Sequence, residues 1–300
     1  MKSIINEVDK ILDKGATQNK QELTNALILP FSEEYPFCSN GVYFFCGKMG
    51  SGKTYGAIRH IMITDRLTTK PYYDQIVVSS TSGNSDKTAA TFMKECQSPI
   101  KAVNDESLMP FLKKNVKQKL KYYAIMKLIN SNLTNITDEM KHMIKKHQLL
   151  DSNNKFNLRR LSSYILSKLH KYPFRKYPAN TVIILDDYGG KPILNKADSD
   201  LANMITKVRH YHYTFIILCQ TWRFICLNLK RLCTDFIIFQ GYSINDFQNM
   251  IEQSGASEDW KELWEHYKDL ISPRSYMCLH IVAGKVSFHN IEWTKRTLLN

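Results

Sequence analysis

The stretch that most constrains this chain is residues 41–54, Gly41-Val42-Tyr43-Phe44-Phe45-Cys46 followed by GKMGSGKT from Gly47 to Thr54. An apolar run suited to a buried strand enters a glycine-rich turn, and a helix-like pattern leaves it from Tyr55 to about Arg66. Gly-x4-Gly-Lys-Thr between a strand and a helix is the pattern of a phosphate-binding loop. A polyphosphate needs a backbone that curls tightly and aims several N–H groups inward. Glycines at 47, 50 and 52 permit such a path because they carry no Cβ. The N-terminus of the following helix adds partial positive charge. Gly47, Lys48, Met49, Gly50, Ser51, Gly52, Lys53, Thr54 and Tyr55 are therefore the candidate ATP-binding residues. Lys53 is expected to reach the β- and γ-phosphates, and the Thr54 hydroxyl to ligate Mg²⁺.

Three hundred residues allow one large α/β domain with an insertion, or two small domains. No apolar run approaches the ~20 residues needed to span a bilayer. The first residues, Met1-Lys2-Ser3-Ile4-Ile5-Asn6-Glu7, lack a signal-peptide pattern. The expectation is an intracellular protein with no membrane partner. The seven cysteines form no CxxC pair and read as reduced core residues. Cys219, Cys226 and Cys233 repeat every seven residues, but Cys219 closes a strand-like run, so the spacing is read as coincidence. A net charge of +13 makes a polyanion a candidate partner. The competing explanation is a lysine-rich composition without functional meaning.

Along the chain, residues 1–36 read as an N-terminal arm with short amphipathic helices at 4–12 and 21–29, punctuated by Pro30 and Pro36. Residues 37–300 read as the ATPase domain. Gln75–Ser80 is a buried strand and the polar stretch Ser79–Thr88 a loop. Residues at about 90–175 read as a lysine-rich helical insertion. Leu108, Leu112, Val116 and Leu120 repeat opposite Lys113, Lys114, Lys117 and Lys121, with similar patterns at Met140–His147 and Leu158–Leu169. The insertion carries roughly ten more basic than acidic residues.

Thr181-Val182-Ile183-Ile184-Leu185-Asp186-Asp187 then has the character of a central strand delivering two carboxylates to its C-terminal edge. Paired with the phosphate loop it reads as a Walker B element. Asp186 would hold Mg²⁺, and Asp187 would polarise the attacking water. A helix is expected from Asp198 to about Arg209, and strands at Tyr213–Cys219 and Asp235–Gln240. Gln220, at the tip of the first of these strands, is either a γ-phosphate sensor or an ordinary loop amide. A helix over 257–270 and a β-hairpin through Gly284 complete the C-terminal part, about 257–300.

In the order of these elements the chain resembles the DNA-packaging ATPases of poxviruses, other large DNA viruses and virophages, within the FtsK–HerA superfamily of P-loop motors. The likeness is carried by the phosphate loop and, most closely, by VIILDDYGGK, KVRHYHYTFIILCQTWR and TDFIIFQGYSINDFQNM within residues 182–250. Residues 1–36 and about 90–175 carry no part of it. The resemblance implies a three-layer α/β P-loop NTPase of the ASCE/RecA-like type, with a mostly parallel sheet and the sensor strand between the P-loop and Walker B strands. It implies a ring-shaped homo-oligomer, pentamer or hexamer, that translocates double-stranded DNA into a preformed capsid. By position, Gly52, Lys53 and Thr54 match the phosphate loop, Asp186 and Asp187 the Walker B acids, and Gln220 the polar sensor. Lys48 departs from the usual small or polar loop residue without removing a required group. Motors of this type take an arginine from the adjacent subunit. Arg209 is the preferred candidate, Arg223 the second and Arg231 the third. The expected setting is host cytoplasm or a viral factory, with association with the virion compatible. Competing readings are another P-loop DNA motor, such as a helicase or an integration-associated ATPase, and a nucleotide-switched capsid assembly protein indifferent to DNA.

Overall fold

The computed structural model describes residues 28–68, 71–81, 85–130, 172–175, 178–256, 259–270, 274–289 and 295–299. The helices expected at 4–12, at most of 21–29, at Met140–His147 and at Leu158–Leu169 lie outside them. The chain divides into two compact units, residues 26–111 with 180–300, and residues 1–25 with 112–179.

The larger unit is built on a nine-stranded sheet. In chain order its strands are β1 (Val42–Cys46), β2 (Gln75–Ser80), β3 (Ile100–Asn104), β4 (Thr181–Asp186), β5 (Tyr213–Cys219), β6 (Asp235–Phe239), β7 (Tyr276–His280), β8 (Lys285–His289) and β9 (Lys295–Leu299). They are arranged β3-β2-β4-β5-β1-β6-β7-β8-β9. The first six are parallel, and β7 to β9 close the sheet antiparallel. The parallel strands read as unbroken apolar runs because both of their faces are covered. β1, β5 and β6 are buried at every position. The strand carrying Gln220 at its tip, β5, lies between the strand entering the phosphate loop and the strand ending in the aspartates. That is the order expected of this P-loop class.

The helices are α1 (Lys53–Leu67), α2 (Ser85–Glu95), α3 (Asp105–Asn130), α4 (Pro192–Asn195), α5 (Asp200–Ile205), α6 (Val208–Tyr211), α7 (Leu227–Lys230), α8 (Ile244–Ser254) and α9 (Trp260–Lys268). α1 is buried along Ala57, Ile58 and Ile61 among Phe45, Val78, Ile237 and Phe239. The described part of the N-terminal arm packs on this same core. Pro30 bridges Cys38, and Tyr35 and Phe37 are buried. α8 is opened by the Ser243 hydroxyl, which accepts from the Asp246 N–H, and closed by Gly255 at φ 82°.

Four boundaries differ from the sequence reading. Ser79–Thr88 is not a loop throughout, since β2 runs to Ser80 and α2 begins at Ser85. The sheet also extends past residue 90. Ile100–Asn104 pairs with β2 as an edge strand, and its one buried residue, Val103, left little apolar signal. The helix expected over Asp198–Arg209 is two helices, broken where Lys207 adopts φ −112°, ψ 17°. The strand β9 follows the C-terminal hairpin and was not anticipated. The seven-residue cysteine repeat is indeed not a helical face, because Cys219 ends β5 and Cys226 is the N-cap of α7. All seven cysteines are free thiols.

In the smaller unit, Tyr122, Tyr123, Phe174 and Ala179 form a compact apolar cluster. Lys119 is buried beside it and donates to the Ala179 carbonyl at 2.7 Å. One lysine of the basic pattern is thus a structural hydrogen-bond donor.

Candidate active site

The parallel strands place their C-terminal tips together, so the loop after β1, the two acids at the end of β4 and Gln220 after β5 meet at one edge of the sheet. Gly47 N–H donates to the Cys219 carbonyl at 3.1 Å, which carries the β1–β5 ladder into the phosphate loop. A Cβ at Gly47 would collide with the Ser51 hydroxyl and come within 2.9 Å of Phe239 Cβ. The backbone then turns through left-handed conformations at Gly50 (φ 75°) and Gly52 (φ 98°). The Gly56 N–H donates to Gly52 O at 2.8 Å, which starts α1.

Inside this turn Lys53 Nζ donates to the carbonyls of Gly47 (2.7 Å) and Lys48 (2.9 Å). The lysine therefore holds the loop in its curled form. Burial lowers its pKa, and Cys219, Asp187 and Asp186 work in the opposite direction. Ser51 Oγ is buried with no hydrogen-bond partner. A curled glycine loop, a lysine at its centre and an unpartnered buried hydroxyl fit a polyphosphate. Met49 at the tip is 84% exposed, and Tyr55 is exposed on α1.

Opposite the loop, β4 ends at Asp186, whose Oδ2 accepts from Thr88 Oγ1 at 3.3 Å. Burial first, and the neighbouring Asp187 charge second, push the Asp186 carboxyl above its ordinary value, while Thr88 and Lys53 pull it back. A carboxylate whose charge is disfavoured in the folded protein is one that a divalent cation stabilises on binding. Asp186 and the Thr54 hydroxyl supply the oxygen donors that Mg²⁺ prefers and are the residues that could hold it. The sign has a consequence for the ligand-free protein. A carboxyl with a raised pKa costs stability as pH climbs from its unfolded value, 3.8, through its higher folded value. Asp186→Asn is therefore expected to flatten that acid-side decline and raise the neutral-pH melting temperature while eliminating magnesium-dependent turnover. Thermal melts across pH and an ATPase assay check both halves.

Asp187 sits at φ 57°, a left-handed conformation that aspartate tolerates better than most residues. Its Oδ1 accepts from Gln220 Nε2 at 3.0 Å, and its carbonyl accepts from Thr81 Oγ1 at 2.7 Å. The tips of β4 and β5 are thereby joined by a carboxylate–amide pair beside the phosphate loop. Tyr242 OH donates to the Gln220 carbonyl at 2.9 Å, tying the end of β5 to the loop after β6. A cleft of ≈ 940 Å³ opens here, with Lys48, Met49, Gln220, Arg223, Tyr242 and Asp246 in its walls. A volume of this order is that of a small-molecule pocket.

The arginines are dispersed. Arg223 lies beside this cleft, 79% exposed, with Nη2 3.1 Å from Asp246 Oδ1. Arg209 is exposed on α6, at the start of β5, so the full strand of about 20 Å separates it from Gln220. Arg231 is the exposed C-cap of α7. Thr81, Thr88 and Tyr242 were missed in the sequence. Thr88 contacts an acid 98 residues away from within a stretch that reads as polar loop, and no local pattern marks it.

Residues 152–282 match the family model described as Poxvirus A32 protein, a span that begins in the smaller unit and includes the two aspartates and Gln220. No curated protein sequence matches the chain. Among solved structures, the genome packaging NTPase B204 from Sulfolobus turreted icosahedral virus 2 with ATP-gammaS is similar at 13% identity. That alignment covers 83% of this chain and 96% of that one, with a TM-score of 0.46. B204, the DNA-packaging ATPase from Sulfolobus Turreted Icosahedral Virus, aligns at 11% identity over 84% of this chain and 98% of its own, TM-score 0.46. The pCW3 conjugation coupling protein TcpA with ATPgS aligns at 11% identity over 80% and 57%, TM-score 0.40.

Proposed function

From the A32-family segment and the phosphate loop that precedes it, we propose that this chain is a magnesium-dependent ATPase that drives double-stranded DNA into a viral capsid. The observation that carries the reading is the Asp187–Gln220 pair, which joins the tips of β4 and β5 beside the loop that Lys53 braces. In this reading Lys53 leaves its two carbonyls for the β- and γ-phosphates. A bound magnesium ion, held by Thr54 and Asp186, would neutralise charge on the phosphate oxygens. Gln220 orients a water against the γ-phosphorus. The water oxygen forms the new bond, the bond to the β–γ bridging oxygen breaks, and Asp187 accepts the proton.

The net charge of +13 supports a polyanionic track. A motor that grips the phosphate backbone is insensitive to base sequence and sensitive to salt. Among the described residues no helix is long and apolar enough to cross a membrane. A ring of identical subunits is part of the proposal, because Arg209 stands at the end of the sheet away from its own chain's loop. In this reading Arg209 would act on a neighbouring subunit and Arg223 on either, the competing role of each being an ordinary surface or ion-pair arginine.

The test is steady-state ATP hydrolysis without DNA, with duplex and with single strands, at two salt concentrations. Duplex stimulation that fades with salt is expected. Stimulation mainly by single strands would point to a helicase, and indifference to both to a nucleotide-switched assembly protein. Arginine assignment is checked by mixing. Arg209→Ala and Lys53→Ala subunits, each inactive alone, should regain part of the turnover when mixed if Arg209 acts across an interface.

A further inference from the structure

On the other side of β1 from the two aspartates, one face of β6, β7 and β8 buries an unusually polar group. Asp235, Cys278, His280, Ser287 and His289 are each at most 7% exposed. The register explains why they meet. Asp235 pairs with His280, and Cys278 pairs with Ser287. His280 and His289 lie two residues from Cys278 and Ser287 respectively, so period-two alternation puts all five side chains on one face. The face is covered by the segment after Pro30. Phe37 packs edge-on against His280 at 4.7 Å between ring centroids, and Cys38 N–H donates to Asp235 Oδ2 at 3.1 Å.

The hydrogen bonds within the group converge on one point. Asp235 Oδ1 lies 2.9 Å from His280 Nδ1, so this carboxylate accepts the Nδ1 proton. In a neutral ring that leaves the His280 Nε2 lone pair aimed at Ser287 Oγ, 2.8 Å away. His289 Nε2 lies 2.6 Å from the same oxygen. Cys278 Sγ completes the cluster, and the ligand atoms of Cys278, His280 and His289 all fall within 4.8 Å of one another.

We propose that this cluster is a structural zinc site, with Cys278 Sγ, His280 Nε2 and an imidazole nitrogen of His289 as ligands and the Ser287 hydroxyl in the fourth position. Ligand atoms around a tetrahedral zinc stand about 3.3–3.6 Å apart, given bonds of about 2.0–2.3 Å, and the three ligand atoms here gather within 4.8 Å, so binding requires the imidazoles to exchange their bonds to Ser287 Oγ for the ion. A thiolate with two imidazoles selects a borderline-soft ion over magnesium or calcium. The Asp235–His280 pair is the outer carboxylate that fixes ring orientation and tautomer in histidine–zinc sites. Charge also balances in this dry environment. The Cys278 thiolate and the Asp235 carboxylate together offset the two positive charges of the ion, and binding releases the one thiol proton to solvent. The site would clamp the antiparallel hairpin to β6, and it rests on nothing in the ATPase reading.

The experiment uses the full chain, purified without a polyhistidine tag, with metal measured by mass spectrometry. About one zinc per chain is expected, the stoichiometry of a structural site. Chelation should lower the melting temperature, and added zinc alone should restore it. Cobalt in place of zinc should give a thiolate-to-metal band in the near ultraviolet, absent in Cys278→Ala and retained in Lys53→Ala. Where Cys278→Ala fails to fold, His289→Gln, which removes one ligand from the less buried strand, should weaken cobalt binding while keeping the thiolate band. Wild-type protein that holds only trace metal and melts independently of chelator and zinc overturns the proposal. A cobalt band that survives Cys278→Ala also overturns it.

Discussion

Lys53→Ala should reduce ATP hydrolysis to background. The ammonium sits inside the turn of the phosphate loop, and removing a single preorganised donor to a reacting oxyanion costs about 10²–10³-fold in rate. The loss should exceed that here, because the same group organises the empty loop through the Gly47 and Lys48 carbonyls. Nucleotide affinity is therefore expected to fall together with turnover, which equilibrium binding of a fluorescent ATP analogue would show. The sheet should survive. Lys53 sits at the first position of α1, and its two bonds are local, five and six residues back. Circular dichroism should be unchanged. Wild-type affinity in this variant would remove Lys53 from the phosphate site.

Asp187→Asn separates binding from chemistry. The amide can keep the left-handed backbone at φ 57° and still accept from Gln220 Nε2, so the tips of β4 and β5 stay joined. What it loses is the capacity to take a proton. General-base catalysis is worth about 10²–10⁴-fold, so turnover should drop by that factor with nucleotide affinity near wild type. Single-turnover hydrolysis measured beside equilibrium binding distinguishes the two quantities. Normal turnover would show that the water is activated elsewhere. Gln220→Ala is the companion variant. It frees the Asp187 carboxylate and should slow turnover less than Asp187→Asn does.

Much of this arrangement could be read from the chain because buried parallel strands leave an unambiguous record. Val182–Leu185 and Phe215–Leu218 are apolar at consecutive positions, and the polar residues that follow them mark the C-terminal edge. The phosphate loop is legible for a related reason, since its glycines answer local backbone demands. What was not legible depends on partners far away in sequence. The edge strand β3 buries a single side chain and so resembles the basic stretch around it. The break at Lys207 sits inside a continuous helical apolar pattern. The bonds of Thr88 to Asp186 and of Tyr242 to the Gln220 carbonyl exist only because strand order brings distant segments to one edge. Cys278, His280, Ser287 and His289 likewise look like ordinary hairpin residues until register puts them on one face.

The loop after β6 has a mechanical meaning for the cleft it borders. Tyr242 is held at both ends, its hydroxyl on the Gln220 carbonyl and its N–H on the Tyr267 hydroxyl, and Tyr267 is anchored in turn to the Phe239 carbonyl at 2.6 Å. The facing wall is the phosphate loop, with an exposed Met49 and a Gly50 that has nothing within 4 Å of where a Cβ would stand. One wall is thus tied down by a chain of three hydrogen bonds, while the tip of the other leaves open space around Gly50. Under the proposed function, a ligand would be accommodated at the loop tip around Met49 and Gly50, while the wall that carries Gln220 keeps its place.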